Sequence, residues 1–283
     1  MPAVKGVIAI GSIGSGTAHE GSDLDAVVFL DPLDLYVVPA EAIWYEPDDT
    51  FYSIFTSNED VQRDGLQIDF LRLDWQQWSA PDFDWPEPRK AELSAGWIAF
   101  DRDGEIGRLV AARTTYDDQL RLARLDEAIT WLDQHLGEDG PQQRWETLPP
   151  AIAHDRLHAA YDYLVQGLFA YNRVWRPWRN REMTALLQLP WLPANFETQI
   201  LTALNSPSQD FAGYMRRAET LNTLFVALLA QVQADGLYGD DPTGDAFIRN
   251  HEEPGRAWNM GEWMIEHRKR YPQDQQGTAG ENP

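Results

Sequence analysis

Apolar positions change their spacing part-way along this 283-residue chain. In the first hundred or so residues they come as short runs: "VKGVIAI" (4–10), "DAVVFL" (25–30), "LQIDFLRL" (66–73) and "GWIAFD" (96–101). Runs of this length, rich in β-branched and aromatic residues and closed by turn formers such as "DRDG", predict buried strands. The Pro- and Asp-rich "SAPDFDWPEP" (79–88) predicts a loop. From about residue 105 the spacing becomes helical. Leu122, Leu125, Ile129, Leu132 and Leu136 step by three and four, as do Leu157, Tyr161, Leu164, Leu168, Tyr171 and Trp175, and Leu221, Leu224, Phe225, Leu228 and Val232. "GEDGPQQ" (137–143) and "QLPWLPAN" (188–195) carry the helix breakers. The pattern predicts an α+β (or α/β) region with a mixed sheet over residues 1–105. A helical-bundle domain follows over 106–270. A polar tail over 271–283 is expected to be disordered.

Composition narrows the chemistry. There is no cysteine, so disulfides and thiolate metal sites are excluded. Of six histidines only His154 and His158 stand four apart, and Asp155 occupies the place where a zinc-protease motif has glutamate. The net charge is −22, and residues 1–110 hold seven basic against twenty-one acidic side chains. Such a surface repels phosphate backbones, so nucleic acid is disfavoured as a partner. It attracts cationic small molecules or proteins; the plainer reading of the acidity is solubility. The start "MPAVKG" is no secretory leader, and no apolar run approaches the ~20 residues of a membrane span. A cytoplasmic protein without a membrane partner is the expectation.

The segment "GSIGSGTAHEGSDLD" (11–25) carries the candidate site. Residues i and i+2 of a strand share a face, so Asp23 and Asp25 project together at the mouth of the second strand. Two close carboxylates repel unless a cation lies between them, and hard carboxylate oxygens suit Mg²⁺. Asp69, inside the apolar run 66–73, is a third candidate ligand or a base. Asp74 at the exit of that run is its rival. A charge inside an apolar run needs a reason, which favours Asp69. Gly11 and Ser12 end the first strand, where glycine permits close approach to a phosphate, and Ser22 adds a hydroxyl at the same mouth.

Ile10-Gly11-Ser12, then Asp23-Leu24-Asp25-Ala26 between hydrophobic strands, and Asp69 in "QIDF" resemble the signature of the DNA polymerase β-type nucleotidyltransferase superfamily. Many members place an arginine shortly after the Gly-Ser; "IGSGT" has none. A small catalytic domain (1–105) followed by a helical one also resembles the antibiotic nucleotidyltransferases that act on aminoglycosides or lincosamides. The resemblance implies a two-metal Mg²⁺ site with an NTP, expected to be ATP, as co-substrate. Asp23, Asp25 and Asp69 would be the catalytic and metal residues, and Gly11, Ser12 and Ser22 would cradle phosphates. It implies transfer of a nucleoside monophosphate to a hydroxyl of a small, aminoglycoside-like acceptor. Alternatives are an antitoxin-type enzyme with a protein acceptor, and a non-catalytic nucleotide-binding protein of the same fold.

Two further stretches invite roles. "NRVWRPWRNR" (172–181) gathers Arg173, Arg176, Arg179 and Arg181 with Trp175 and Trp178. One arginine could reach a triphosphate; alternatively the patch pairs with acidic residues of the first region while the tryptophans pack. Glu127 could be a base, although a solvated helix face explains it as well.

Overall fold

The computed structural model describes residues 1–138, 140–206, 208–251 and 260–270. The tail expected to be disordered, 271–283, lies outside the described residues. The strands are β1 (Val4–Ala9), β2 (Leu24–Leu30), β3 (Glu41–Tyr45), β4 (Thr50–Tyr52), β5 (Leu66–Asp74) and β6 (Trp97–Asp101). The helices are α1 (Gly11–Gly14), α2 (Glu59–Asp64), α3 (Trp75–Ser79), α4 (Glu87–Ala95), α5 (Glu105–Thr114), α6 (Asp118–Leu136), α7 (Gly140–Thr147), α8 (Pro150–Tyr171), α9 (Arg179–Leu187), α10 (Phe196–Leu204), α11 (Phe211–Ala234), α12 (Pro242–Asn250) and α13 (Met260–Arg270). An α+β half followed by a mostly helical half is the expected class.

The chain divides into two units. One comprises Met1–Tyr116 with Val174–Ala185; the other comprises Asp117–Arg173 with Leu186–Pro283.

The first unit is built on a six-stranded mixed sheet in the order β4-β3-β5-β2-β1-β6. β2 and β5 run parallel at its centre, and the other pairs are antiparallel. Val27, Phe29 and Leu30 of β2 are wholly buried, as a central strand covered on both faces requires. Ile8, Val27 and Phe29 join Leu93 of α4 and Ile106 and Val110 of α5 in one core, with Trp78 and Trp85. The expected loop of 79–88 is observed over 80–86, between α3 and α4, and the Trp85 indole N–H donates to the Trp78 carbonyl at 3.0 Å, pinning it to that core. β3 and β4 were not legible in the apolar pattern. They form a hairpin held by side chains of its turn: the Trp44 indole donates to Asp49 at 3.1 Å and the Tyr52 hydroxyl to Asp48 at 2.5 Å.

The second unit packs α8, α11 and α12 around α6, with α10 on α11. Asp117, Asp210 and Asp241 cap α6, α11 and α12 by accepting bonds from their first-turn N–H groups. α8 stops at Tyr171 although its apolar spacing runs on to Trp175. Asn172 donates its side-chain amide to the Leu168 carbonyl, and Arg173 takes a positive φ of 55°. That ends the helix.

Candidate active site

The carboxylates meet because of strand register. Asp25 on β2 is the direct partner of Asp69 on the parallel strand β5, and Glu41 on β3 is the partner of Asp69 on its other side. Asp23 precedes β2 by one residue. Oxygens of Asp23, Asp25 and Asp69 lie within 4.8 Å of one another, with Asp25 and Asp69 half-buried and Asp23 exposed. Among the described residues this is the one group of three or more histidine and carboxylate side chains so arranged. Asp74 is elsewhere on β5, where its side chain caps α3 by accepting from the Gln76 N–H at 3.0 Å. Asp69 accepts from Gln67 at 3.0 Å.

Gly11 has a positive φ of 66°, and a Cβ there would stand 1.9 Å from an Asp25 carboxylate oxygen. The glycine therefore makes room for Asp25. The Ile10 N–H donates to the Asp25 carbonyl at 2.8 Å, fixing the two strand ends against each other. The Ser12 hydroxyl is buried without a hydrogen-bond partner, an arrangement that costs free energy unless a ligand supplies one. Ser22 accepts from the His19 N–H at 3.0 Å.

Burial pushes the Asp25 carboxyl up, the negative charge of Asp23 pushes it further, Arg181 draws it back, and Asp69 adds to the rise. Arg181 stands 3.5 Å from Asp25 and belongs to the segment Val174–Ala185 of this unit. That segment is tied down residue by residue. The Trp175 indole donates to the Thr114 carbonyl at 2.7 Å, the Arg176 N–H donates to Glu87 at 3.0 Å, and buried Glu182 accepts from both Arg176 and Arg179. Lys90 lies 4.9 Å over the Trp175 ring. Arg173, by contrast, pairs with Asp118 in the second unit.

Asp25, Asp69, Glu41 and Arg181 line a cleft of about 420 Å³ with Arg89, Glu92 and Trp178. Arg89 is paired with Glu92 at 2.5 Å, and burial lowers its guanidinium from the usual range. Sequence reasoning missed Glu41, Arg89 and Glu92. Glu41 sits on an unread strand, and nothing in the local sequence of α4 points inward. Glu127 lies in the second unit, where it accepts from Gln166 at 2.7 Å. His154 is engaged with Arg217 and the Gln209 carbonyl and meets Tyr214 edge-to-face, while His158 stacks on Tyr161.

The strand–turn–strand that carries this geometry is matched by a known family model. Residues 1–72 match the nucleotidyltransferase domain. The matched stretch contains β1, Gly11-Ser12, the Asp23–Asp25 pair and Asp69 of β5, in agreement with the DNA polymerase β-type superfamily that the spacing resembles. Among solved structures, a nucleotidyltransferase-like protein from Exiguobacterium sibiricum 255-15 is similar at 16% identity, over 94% of this chain and 80% of that chain, with a TM-score of 0.42. No curated protein matches. Among the described residues no helix is long and apolar enough to cross a membrane.

Proposed function

We propose that this nucleotidyltransferase-domain chain transfers a nucleoside monophosphate from an NTP, with Mg²⁺, to a hydroxyl of a small neutral or cationic acceptor. The observation that carries the reading is the convergence of Asp23, Asp25 and Asp69 within 4.8 Å of one another, the last two lining a cleft, within the unit that holds the matched domain. The donor set suits a hard divalent ion, since it offers carboxylate oxygens close together and burial leaves them short of positive charge. Asp23, Asp25 and Asp69 would hold Mg²⁺, and two ions would fit the superfamily's chemistry. When bound, the metal supplies Lewis-acid stabilisation of the charge on the transferring phosphoryl group. In the reaction the acceptor oxygen bonds to the α-phosphorus, the bond to the bridging oxygen breaks, and pyrophosphate leaves. Asp69, where it is not a ligand, takes the proton of the acceptor hydroxyl. The orphaned Ser12 hydroxyl donates to a phosphate oxygen, with the adjoining Gly11 leaving room for close approach and Ser22 as a second candidate for the phosphates. ATP is the expected donor, and a cytoplasmic setting is proposed because NTPs are supplied there.

Glu41 and Trp178 at the same cleft favour an acceptor bearing amino groups, in the manner of an aminoglycoside. Pyrophosphate release should be followed with Mg²⁺, each of the four NTPs and a panel of aminoglycosides, lincosamides, polyamines and protein acceptors. The reading expects metal-dependent release with at least one small cationic acceptor, and mass gain of that acceptor by one nucleoside monophosphate. Release with protein acceptors alone would move it to the antitoxin type. No metal-dependent release under any condition, with ATP bound, would make it a non-catalytic nucleotide-binding protein.

A further inference from the structure

We propose that Arg181 is the resident counter-cation of the carboxylate cluster: it competes with the divalent ion for Asp25 and, once displaced, pairs with the phosphates of the nucleotide. This rests on the nucleotidyltransferase reading. Arg181 reaches one of the three carboxylates, its guanidinium standing 3.5 Å from Asp25. That distance is long for a charge-assisted hydrogen bond, which runs at about 2.7–2.9 Å, so the contact is a loose one that can be released cheaply.

The two partners differ in their freedom. Asp25 is held by its strand, by the Ile10 bond to its carbonyl and by the space Gly11 leaves open. It cannot withdraw. The backbone carrying Arg181 is also held, by Trp175 on Thr114 and by buried Glu182, but the arginine side chain is more than a third exposed at the cleft. A divalent ion arriving among the carboxylates repels the guanidinium, and the side chain is what yields. A planar guanidinium set free at the cleft matches a phosphate's paired oxygens. The same residue therefore weakens metal binding before nucleotide arrives and strengthens nucleotide binding afterwards.

Calorimetry on the full chain, first with Mg²⁺ or Mn²⁺ alone and then with ATP at saturating metal, tests this. Arg181→Gln should bind the metal alone about fivefold more tightly, because a like charge has been removed from a partly screened site. It should bind ATP about tenfold more weakly, having lost one charge-assisted bond. Arg181→Lys should bind metal alone close to wild type. Opposite signs in one variant are not produced by general damage, and circular dichroism with thermal unfolding checks the fold. Metal binding that Asp25→Asn abolishes but Arg181→Gln leaves unchanged or weaker overturns this proposal alone. Absence of metal binding by the wild-type chain overturns it together with the reading beneath it.

Discussion

Asp126 in the helical unit and Asp25 in the sheet unit are carboxylates drawn out of water and then treated in opposite ways. Asp126 on α6 is 3% exposed. It accepts from the Tyr238 hydroxyl at 2.7 Å and from Arg249 in a fork at 2.8 and 2.9 Å. Burial and the adjoining carboxylate hold the Tyr238 phenol protonated by raising its pKa. Asp25 has two further carboxylates beside it and one loose arginine. A buried charge is tolerated when it is paired and fully hydrogen-bonded. Where the fold needed a carboxylate for structure, it brought the whole complement of partners. At Asp25 the complement is short: one arginine at 3.5 Å stands against its own charge and that of two neighbouring carboxylates.

The sharpest way to break this contrast is to neutralise Asp25. Asp25→Asn should lose about a thousandfold or more in kcat, since a bound metal contributes several kcal/mol and each ~1.4 kcal/mol is tenfold. Its melting temperature without metal should stay level or rise, because repulsion has been relieved. Wild-type turnover in this variant would remove Asp25 from the machinery. The mirror experiment is Asp126→Ala, which strands Tyr238 and Arg249. It should destabilise the helical unit by about 3 kcal/mol, the low end for a broken buried pair because Arg249 is partly exposed. Urea denaturation measures it, and a loss under about 0.5 kcal/mol, the scale of an ordinary surface change, would mean that Asp126 is no structural anchor.

A smaller effect follows from pH. Burial, aided by the positive charges of Arg144 and Arg156, pushes the His135 imidazole down to about 4. The ring packs with Trp131 and Tyr163 in a cluster of three, and its Nδ1 has no hydrogen-bond partner. The unfolded chain takes up a proton near its ordinary pKa of about 6.5, whereas the folded chain does so only near 4. Unfolding therefore binds more protons across that window, and stability falls as pH is lowered through it, by about 3 kcal/mol in all. His135→Gln should flatten that acid limb in denaturation curves taken from pH 7 to pH 4. An identical limb would assign the acid loss to other groups.

The smallest change separates two orphaned polar atoms. The Ser12 hydroxyl in the sheet unit and the His135 Nδ1 in the helical unit both lack a hydrogen-bond partner. If Ser12 serves a phosphate, Ser12→Ala should raise the KM for NTP about tenfold, since a bond to a charged group is worth about 1.5–3 kcal/mol. Unfolding free energy should hardly move. An unchanged KM would make the hydroxyl a packing detail.

Local signals were enough for part of this molecule. β1, β2 and β5 and the long helices α6, α8 and α11 announce themselves because burial imposes a period on consecutive residues. The apolar run at 96–101 also forms a strand, but not the buried one expected: β6 is an edge strand with Trp97, Ile98 and Phe100 exposed, because among the described residues no further strand covers that side of the sheet. The Gly11-Ser12 turn and the Asp23–Asp25 spacing lie within fifteen residues, so their shared chemistry is also written locally. β3 and β4 escaped because a short hairpin near a sheet edge, only partly buried, needs little apolar alternation. The meeting of Asp25 with Asp69 depends on β2 and β5 pairing in parallel at one register, and a shift by one residue would turn Asp69 to the opposite face. The place of Arg181 depends on a segment more than 150 residues from Asp25 joining the sheet unit through Trp175, Arg176 and Glu182. Strand spacing and charge are properties of neighbouring residues. Register and long-range closure are set by which surfaces bury one another, and only the folded chain decides that.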